Sequence, residues 1–142
     1  MRKFLYEDEI TKLFRDYLKK QGWVIESTAK GRKRGADIVA KRSGKRIYIE
    51  AKGGGSQDPK SKRFGSAFTK LQSQQNTDVA FACLARMISR YCPDYIGMVL
   101  HHDANHHDSV KEILPTIKKI QAGVWLVSKK GVVCLAKPKQ QK

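Results

Sequence analysis

The feature of this sequence that most constrains the fold is a pair of short strand patterns separated by a turn. Residues 36–40 and 46–52 are largely apolar segments of strand length, and Ser43-Gly44 lies at the centre of the polar stretch between them. A serine–glycine pair between two such segments is typical of a β-hairpin turn. The sequence therefore predicts two adjacent antiparallel strands at this place.

The register of this hairpin brings three charged side chains together. When the turn is centred in this way, Arg42 faces Lys45, and the pairing continued outward places Asp37 directly opposite Glu50. Directly opposed residues share one face of a sheet, with Cβ atoms about 4.5–5.5 Å apart. Lys52 is two residues from Glu50 and shares that face. The other face would carry the apolar side chains, which are Ile38, Ala40, Ile47, Ile49 and Ala51.

Two carboxylates and one ammonium on a single sheet face suit a metal site. Carboxylates this close repel each other unless a cation lies between them. Oxygen-only ligation favours Mg²⁺, and we expect Mn²⁺ to substitute. Such a metal would polarise a phosphate and activate a bound water, while Lys52 could hold or deprotonate that water or neutralise charge in the transition state. The alternative is an ordinary ion pair on a solvated face.

The charge of the chain points to a polyanionic partner. Its 142 residues carry 29 Lys and Arg against 13 Asp and Glu, a net charge of +16. Basic residues displace counterions from phosphates, so nucleic acid is the first candidate and an anionic membrane surface the second. Three cysteines without metal-ligand spacing indicate reduced thiols, and the N-terminus shows no signal peptide pattern. We therefore expect a cytoplasmic protein.

The remaining segments complete an α/β pattern. We predict a first helix over residues 6–21, a strand from Trp23, a second helix from Phe64 to about Gln75 and a buried central strand at Val79–Ala85. After these we predict a short helix opened by Pro93 and a polar loop at His101–His107. The chain should then form a helix at 110–120 that is kinked at Pro115, followed by strands at 124–127 and 132–135. The element order predicts a sandwich in which helices cover a mixed sheet.

The two strand segments also carry a family resemblance. Residues 35–40, GADIVA, and residues 47–54, IYIEAKGG, resemble the PD-(D/E)xK restriction-endonuclease-like superfamily, whose members have an Asp on one strand and Glu-x-Lys on the next. The resemblance implies a three-layer restriction-endonuclease-like fold and a Mg²⁺-dependent DNA endonuclease. It implies metal ligation by Asp37, Glu50 and the carbonyl of Ala51, with Lys52 catalytic. Small members include Holliday-junction resolvases and restriction-type nucleases.

Relatives also supply polar residues from two helices. Many have a first-helix Glu that completes the metal site, and Glu7, Asp8 and Glu9 compete for this role. Glu7 is favoured because it lies on the stripe of the core-facing residues Ile10, Phe14 and Leu18, although first-turn acids also stabilise a helix dipole. Many have a Gln in the second helix. Here Gln72, Gln74 and Gln75 are present, but Lys70 can occupy the matching position, so the role stays unassigned.

Together these patterns predict one nuclease domain over residues 1–142, with a core at about 6–85, an extension at 86–136 and a flexible basic tail at 137–142. Its partner would be double-stranded or branched DNA, and a homodimer is expected because cutting both strands needs two sites. The alternative is a DNA-binding module of the same fold without turnover. The polar histidine loop is expected near DNA rather than at a zinc site. The predicted DNA contacts are Lys30, Arg32, Lys33, Arg34, Lys60, Lys62, Arg63 and Lys70.

Overall fold

The computed structural model describes residues 2–28, 36–62 and 64–142. Within these residues the chain forms three helices and six strands in the order helix, three strands, helix, strand, helix, two strands. The helices are α1 (Glu7–Lys20), α2 (Lys70–Tyr91) and α3 (Ala104–Lys119). The strands are β1 (Val24–Thr28), β2 (Ile38–Arg42), β3 (Lys45–Lys52), β4 (Tyr95–His101), β5 (Gly123–Ser128) and β6 (Gly131–Ala136). No helix in the described part of the chain is long and apolar enough to cross a membrane.

The six described strands form one mixed sheet in the order β1-β2-β3-β4-β5-β6. The β3–β4 and β4–β5 pairs are parallel, and the other neighbouring pairs are antiparallel. Helix α1 covers one face of the sheet, and α2 and α3 cover the other. This is the predicted three-layer α/β sandwich, and each face of the sheet has its own hydrophobic core.

The structure confirms the predicted hairpin, both in its register and in which face carries the apolar side chains. Ser43 and Gly44 have φ values of 53° and 77°, the pair of positive angles that a tight two-residue hairpin turn needs. Arg42 pairs with Lys45 and Ile38 with Ile49, as the turn requires. The predicted apolar face packs against α1, with every member buried, namely Ile38, Ala40, Ile47, Ile49 and Ala51. The first helix and the two closing strands are confirmed as well.

The prediction of a central strand at Val79–Ala85 is wrong, because these residues lie in the middle of α2. Thr69 caps this helix by accepting a hydrogen bond from the Gln72 N–H, and the helix does not end near Gln75. The buried positions of the helix recur at helical spacing, at Ser73, Thr77, Ala80, Leu84 and Met87. The predicted helix from Phe64 to about Gln75 is therefore wrong at both ends, because α2 begins at Lys70 and ends at Tyr91.

The central strand is instead β4, where a short helix after Pro93 was predicted. Residues 96–101 are all buried, since parallel strands covered on both faces bury both sets of side chains. Ile96, Val99 and Leu100 are spaced like a helical stripe, and this spacing misled the prediction. The unit of helix, three strands, helix and strand therefore extends to His101 instead of ending near residue 85.

The last corrections concern residues 101–142. The predicted polar loop at His101–His107 is the end of β4 and the start of α3, which begins earlier than predicted and continues through Pro115. Pro115 is exposed, so solvent can reach the carbonyl that its missing N–H leaves unpaired. The tail predicted to be flexible is held in place. The backbone N–H groups of Lys139 and Gln141 donate to the carbonyls of Gln121 and Asp94 at 3.0 and 2.8 Å.

Candidate active site

The hairpin brings Asp37 and Glu50 together at its open end. Asp37 immediately precedes β2, and its Oδ2 accepts a hydrogen bond of 2.8 Å from the Ala51 N–H on the neighbouring strand. Glu50 and Lys52 point to the same side of β3, where Lys52 Nζ lies 3.6 Å from Glu50 Oε1. The structure therefore brings these three predicted site residues together.

Burial determines the electrostatics of this cluster. Burial and, after it, the charge of Asp37 raise the pKa of Glu50 to about 7, although Lys52 opposes both effects. Burial also raises the pKa of Asp37, against the opposing effects of the Ala51 N–H and of Lys52. Glu50 is only 8% exposed, so water screens little of the repulsion between the carboxylates. The predicted alternative of a solvated sheet face does not match this burial.

The first turn of α1 adds a third acid, and it is Glu7. Burial and, after it, the charge of Asp37 raise the pKa of Glu7 to about 7, although Lys52 opposes both effects. Glu9 turns away: its carboxylate pairs with Arg2 and accepts the Tyr6 N–H at 3.0 Å. Of the competing first-helix acids, the structure thus places Glu7, and not Glu9, beside the cluster.

A cavity of about 420 Å³ opens beside the three acids. Glu7, Asp8 and Asp37 line it, and the loop after β3 forms the rest of its wall. Asp8 is engaged there by the Gln57 side-chain amide, whose Nε2 donates to its Oδ2 at 3.0 Å. This cavity is large enough for a hydrated ion and part of a substrate.

The donor chemistry of the cluster fits a hard divalent cation. Among the described residues, no group of three or more His, Cys, Asp and Glu side chains forms a ready metal site. The cluster offers carboxylate oxygen donors from Asp37 and Glu50, with Glu7 close by. Mg²⁺ keeps several waters and needs only one or two carboxylates. Burial raises the pKa of all three carboxyls, and Lys52 opposes this effect only in part, so a bound cation would stabilise their ionised forms.

The predicted DNA contacts lie partly around this cavity. Lys60 and Lys62 are exposed on the loop whose residues Gln57 and Asp58 line the cavity, and Lys70 is exposed at the first turn of α2. The predicted contacts Lys30, Arg32, Lys33, Arg34 and Arg63 lie outside the described residues.

Two residues of α2 reach the site and were missed by the sequence analysis. Asn76 lines the cavity, and its Nδ2 donates to the Gly53 carbonyl at 3.1 Å. The Cys83 thiol lies close to Glu50, and burial together with the charge of that carboxylate raises the pKa of the thiol. None of the three glutamines considered for this helix reaches the site. Gln72 caps the helix, and Gln74 and Gln75 are exposed. The stripe of Ala80, Leu84 and Met87 extended toward the N-terminus would have pointed to Asn76.

The histidines of residues 101–107 do not form the predicted polar loop. His101 and His106 are buried, at 4% and 0% exposure. His101 Nδ1 accepts the Leu5 N–H at 3.4 Å, and burial lowers the pKa of His101. This hydrogen bond ties the end of β4 to the segment that precedes α1.

Comparison with known families agrees with this geometry. A family model described as restriction endonuclease, the Mrr-type catalytic domain, matches residues 5–85, more than half of the chain. The matched segment contains Glu7, Asp37, Glu50 and Lys52. Searches of curated proteins and of solved structures found no significant match. The chain belongs to the restriction endonuclease family, one of the PD-(D/E)xK nuclease families.

Proposed function

We propose that this protein is a metal-dependent DNA endonuclease with its active site at the open end of the β2–β3 hairpin. The observation that carries the proposal is the buried cluster in which Lys52 Nζ lies 3.6 Å from Glu50 Oε1, beside Asp37. Family membership supports a nuclease, and the net charge of +16 supports DNA as its substrate.

Each residue of the cluster has a separate role in this proposal. Asp37, Glu50 and the Ala51 carbonyl would hold Mg²⁺, with Glu7 completing the site. When bound, the ion supplies Lewis acidity toward the scissile phosphate and lowers the pKa of a coordinated water. Lys52 is held by Glu50 at the edge of the cluster, where its ammonium can orient the attacking water or neutralise charge that builds on the phosphate oxygens.

The basic residues around the cavity would position DNA without reading its sequence. Lys60, Lys62 and Lys70 are exposed on the loop after β3 and at the start of α2. The basic residues at 30–34 and Arg63 belong to the same proposal through the sequence alone. Lys and Arg contacts to phosphates fix the register of a duplex but carry no direct base readout. Such a surface fits double-stranded or branched DNA.

Alanine variants of the cluster test the proposal. Asp37→Ala, Glu50→Ala and Lys52→Ala should each abolish Mg²⁺-dependent cleavage of labelled linear, branched or flapped DNA. Binding measured in Ca²⁺ should persist for Lys52→Ala, because the surrounding basic residues provide most phosphate contacts. Glu112→Ala and Lys111→Ala, both exposed on α3, remove the same charges away from the cluster and should leave cleavage unchanged.

Two outcomes would contradict the proposal. Unchanged cleavage by Glu50→Ala would show that the active site lies elsewhere. If the wild-type protein binds DNA but cleaves none of these substrates with Mg²⁺ or Mn²⁺, the alternative of a non-catalytic DNA-binding module becomes the better description.

A further inference from the structure

A chain of polar side chains, with the buried His106 at its centre, links α3 to the residue that follows Lys52. Asp103 Oδ2 lies 2.8 Å from His106 Nδ1, and His106 Nε2 lies 3.3 Å from Asn76 Nδ2. The same Asn76 nitrogen donates to the Gly53 carbonyl at 3.1 Å. His106 is completely buried, so its ring nitrogens depend on these partners and not on water.

Counting donors and acceptors fixes the direction of this chain. The Gly53 carbonyl can only accept, so it must face the NH₂ group of Asn76 and not the amide oxygen. The second N–H of that group then points at His106 Nε2, which must be the unprotonated nitrogen. The ring proton is on Nδ1 and is donated to Asp103. Asp103 Oδ1 also accepts the His106 N–H at 2.7 Å as the N-cap of α3, so the chain is anchored to a helix end.

The chain of hydrogen bonds ends at a glycine segment that has no side chains to fix its own conformation. β3 ends at Lys52 and is followed by Gly53, Gly54 and Gly55. Glycine loses more conformational freedom on ordering than any other residue, so external hydrogen bonds must define this segment. The Gly54 N–H donates to the Leu5 carbonyl at 2.8 Å on the α1 side, and Asn76 holds the Gly53 carbonyl on the α2 side.

We propose that Asn76, His106 and Asp103 are positioning residues for Lys52, acting through the Gly53 carbonyl that they hold. The inference rests on the proposed function, because Lys52 is the catalytic group being positioned. The three residues come from α2 and from the start of α3, and their proposed action runs through the Gly53 carbonyl, although Asn76 also lines the cavity beside the carboxylates. A small displacement of a catalytic group can cost about a hundredfold in rate. The expected effect is therefore on turnover and not on DNA affinity.

Two substitutions of His106 separate positioning from packing. A glutamine amide reaches the place of the ring Nε2, so His106→Gln can still accept from Asn76. An asparagine amide reaches only the place of Nδ1, so His106→Asn keeps the bond to Asp103 and loses the bond to Asn76. Both variants keep the backbone N–H that Asp103 caps. If the relay positions Lys52, His106→Gln should retain most of the kcat.

The experiment measures kcat and KM for DNA cleavage, DNA affinity in Ca²⁺, and urea unfolding for each variant. Asn76→Ala and His106→Asn should lower kcat by roughly tenfold to a hundredfold, with KM and DNA affinity close to wild type. Gln75→Ala, on the exposed side of the same helix, is the matched control and should behave like wild type. Activity that follows the unfolding free energy across all variants, with no advantage for His106→Gln, would overturn the proposal.

A spectroscopic measurement on the metal-free protein tests the relay without any cleavage. Long-range ¹H–¹⁵N NMR spectra distinguish the two neutral histidine tautomers, and the signal that disappears in His106→Gln identifies His106. We expect a proton on Nδ1 in the wild type. A proton on Nε2 would refute the relay even if the protein proved not to be a nuclease. Wild-type cleavage with unimpaired Asn76→Ala would refute the positioning role while leaving the nuclease function intact.

Discussion

Replacing Glu50 with glutamine should stabilise the metal-free protein at about pH 8 and change its stability little at about pH 4.5. The glutamine keeps the shape of the side chain and can still accept a hydrogen bond from Lys52, but it carries no charge. In the wild type, burial and Asp37 raise the pKa of Glu50 from its ordinary 4.5 to about 7. The folded protein therefore binds this proton more tightly than the unfolded chain does.

The sign and size of the effect follow from this difference. A carboxyl whose pKa is raised on folding stabilises the folded state most at low pH, and this stability is lost as the pH rises from about 4.5 to 7. One pKa unit corresponds to 1.36 kcal/mol, so the complete loss is at most roughly 3 kcal/mol. The Glu50 side chain is only 11% exposed, so solvent screening reduces this value little. The interaction with Asp37 means that losses at the two carboxyls do not add.

Urea unfolding of wild type and Glu50→Gln in EDTA, at several pH values across this range, measures the difference directly. Glu112→Gln is the matched control, because it removes one exposed negative charge from a protein of net charge +16. Added Mg²⁺ should stabilise the wild type at about pH 8 by binding the folded state, and should stabilise Glu50→Gln less. A Glu50→Gln protein that is less stable than the wild type by the same amount at both pH values would refute the reasoning.

Two further predictions concern DNA and the third acid. The logarithm of DNA affinity should fall with the logarithm of salt concentration with a slope of roughly −3 or steeper, as several phosphate contacts require, and a shallower slope in a salt titration would contradict the polyanion interpretation. Glu7→Gln should reduce metal-dependent cleavage much more than Glu9→Gln, because Glu7 lies beside Asp37 while Glu9 is paired with Arg2. Equal unfolding free energies would be the control, and a larger loss from Glu9→Gln would assign the third acid to Glu9.

The parts of the fold that could be predicted are those with local signals. The hairpin has turn residues whose backbone angles favour one register, and that register alone placed Asp37 near Glu50. The first helix has an unbroken stripe of large apolar residues, Ile10, Phe14 and Leu18, all buried. In both cases residues close together in the sequence specify the element, so it can be predicted without knowledge of the tertiary contacts.

The second half of the chain lacks such signals. In α2 the buried stripe passes through Ser73 and Thr77, which are polar, so the helical period is hidden there and only the apolar run at 79–85 stands out. In β4 every residue from 96 to 101 is buried, and a strand buried on both faces has no alternation. Asn76 is missed for the same reason, because the stripe of Ala80, Leu84 and Met87 points to it only once residues 79–85 are recognised as helical.

The glycines after β3 allow the first turn of α1 to pack closely against the end of that strand. A Cβ at Gly53 would overlap the backbone nitrogen of Glu7. Because there is no side chain at this position, the first turn of α1 can approach the end of β3 closely enough for the Glu7 carboxyl to reach Asp37. The same absence leaves the Gly53 carbonyl accessible to Asn76. A segment without side chains thus lets α1 and α2 meet the end of β3, which brings Glu7 close to Asp37 and Asn76 close to the residue that follows Lys52.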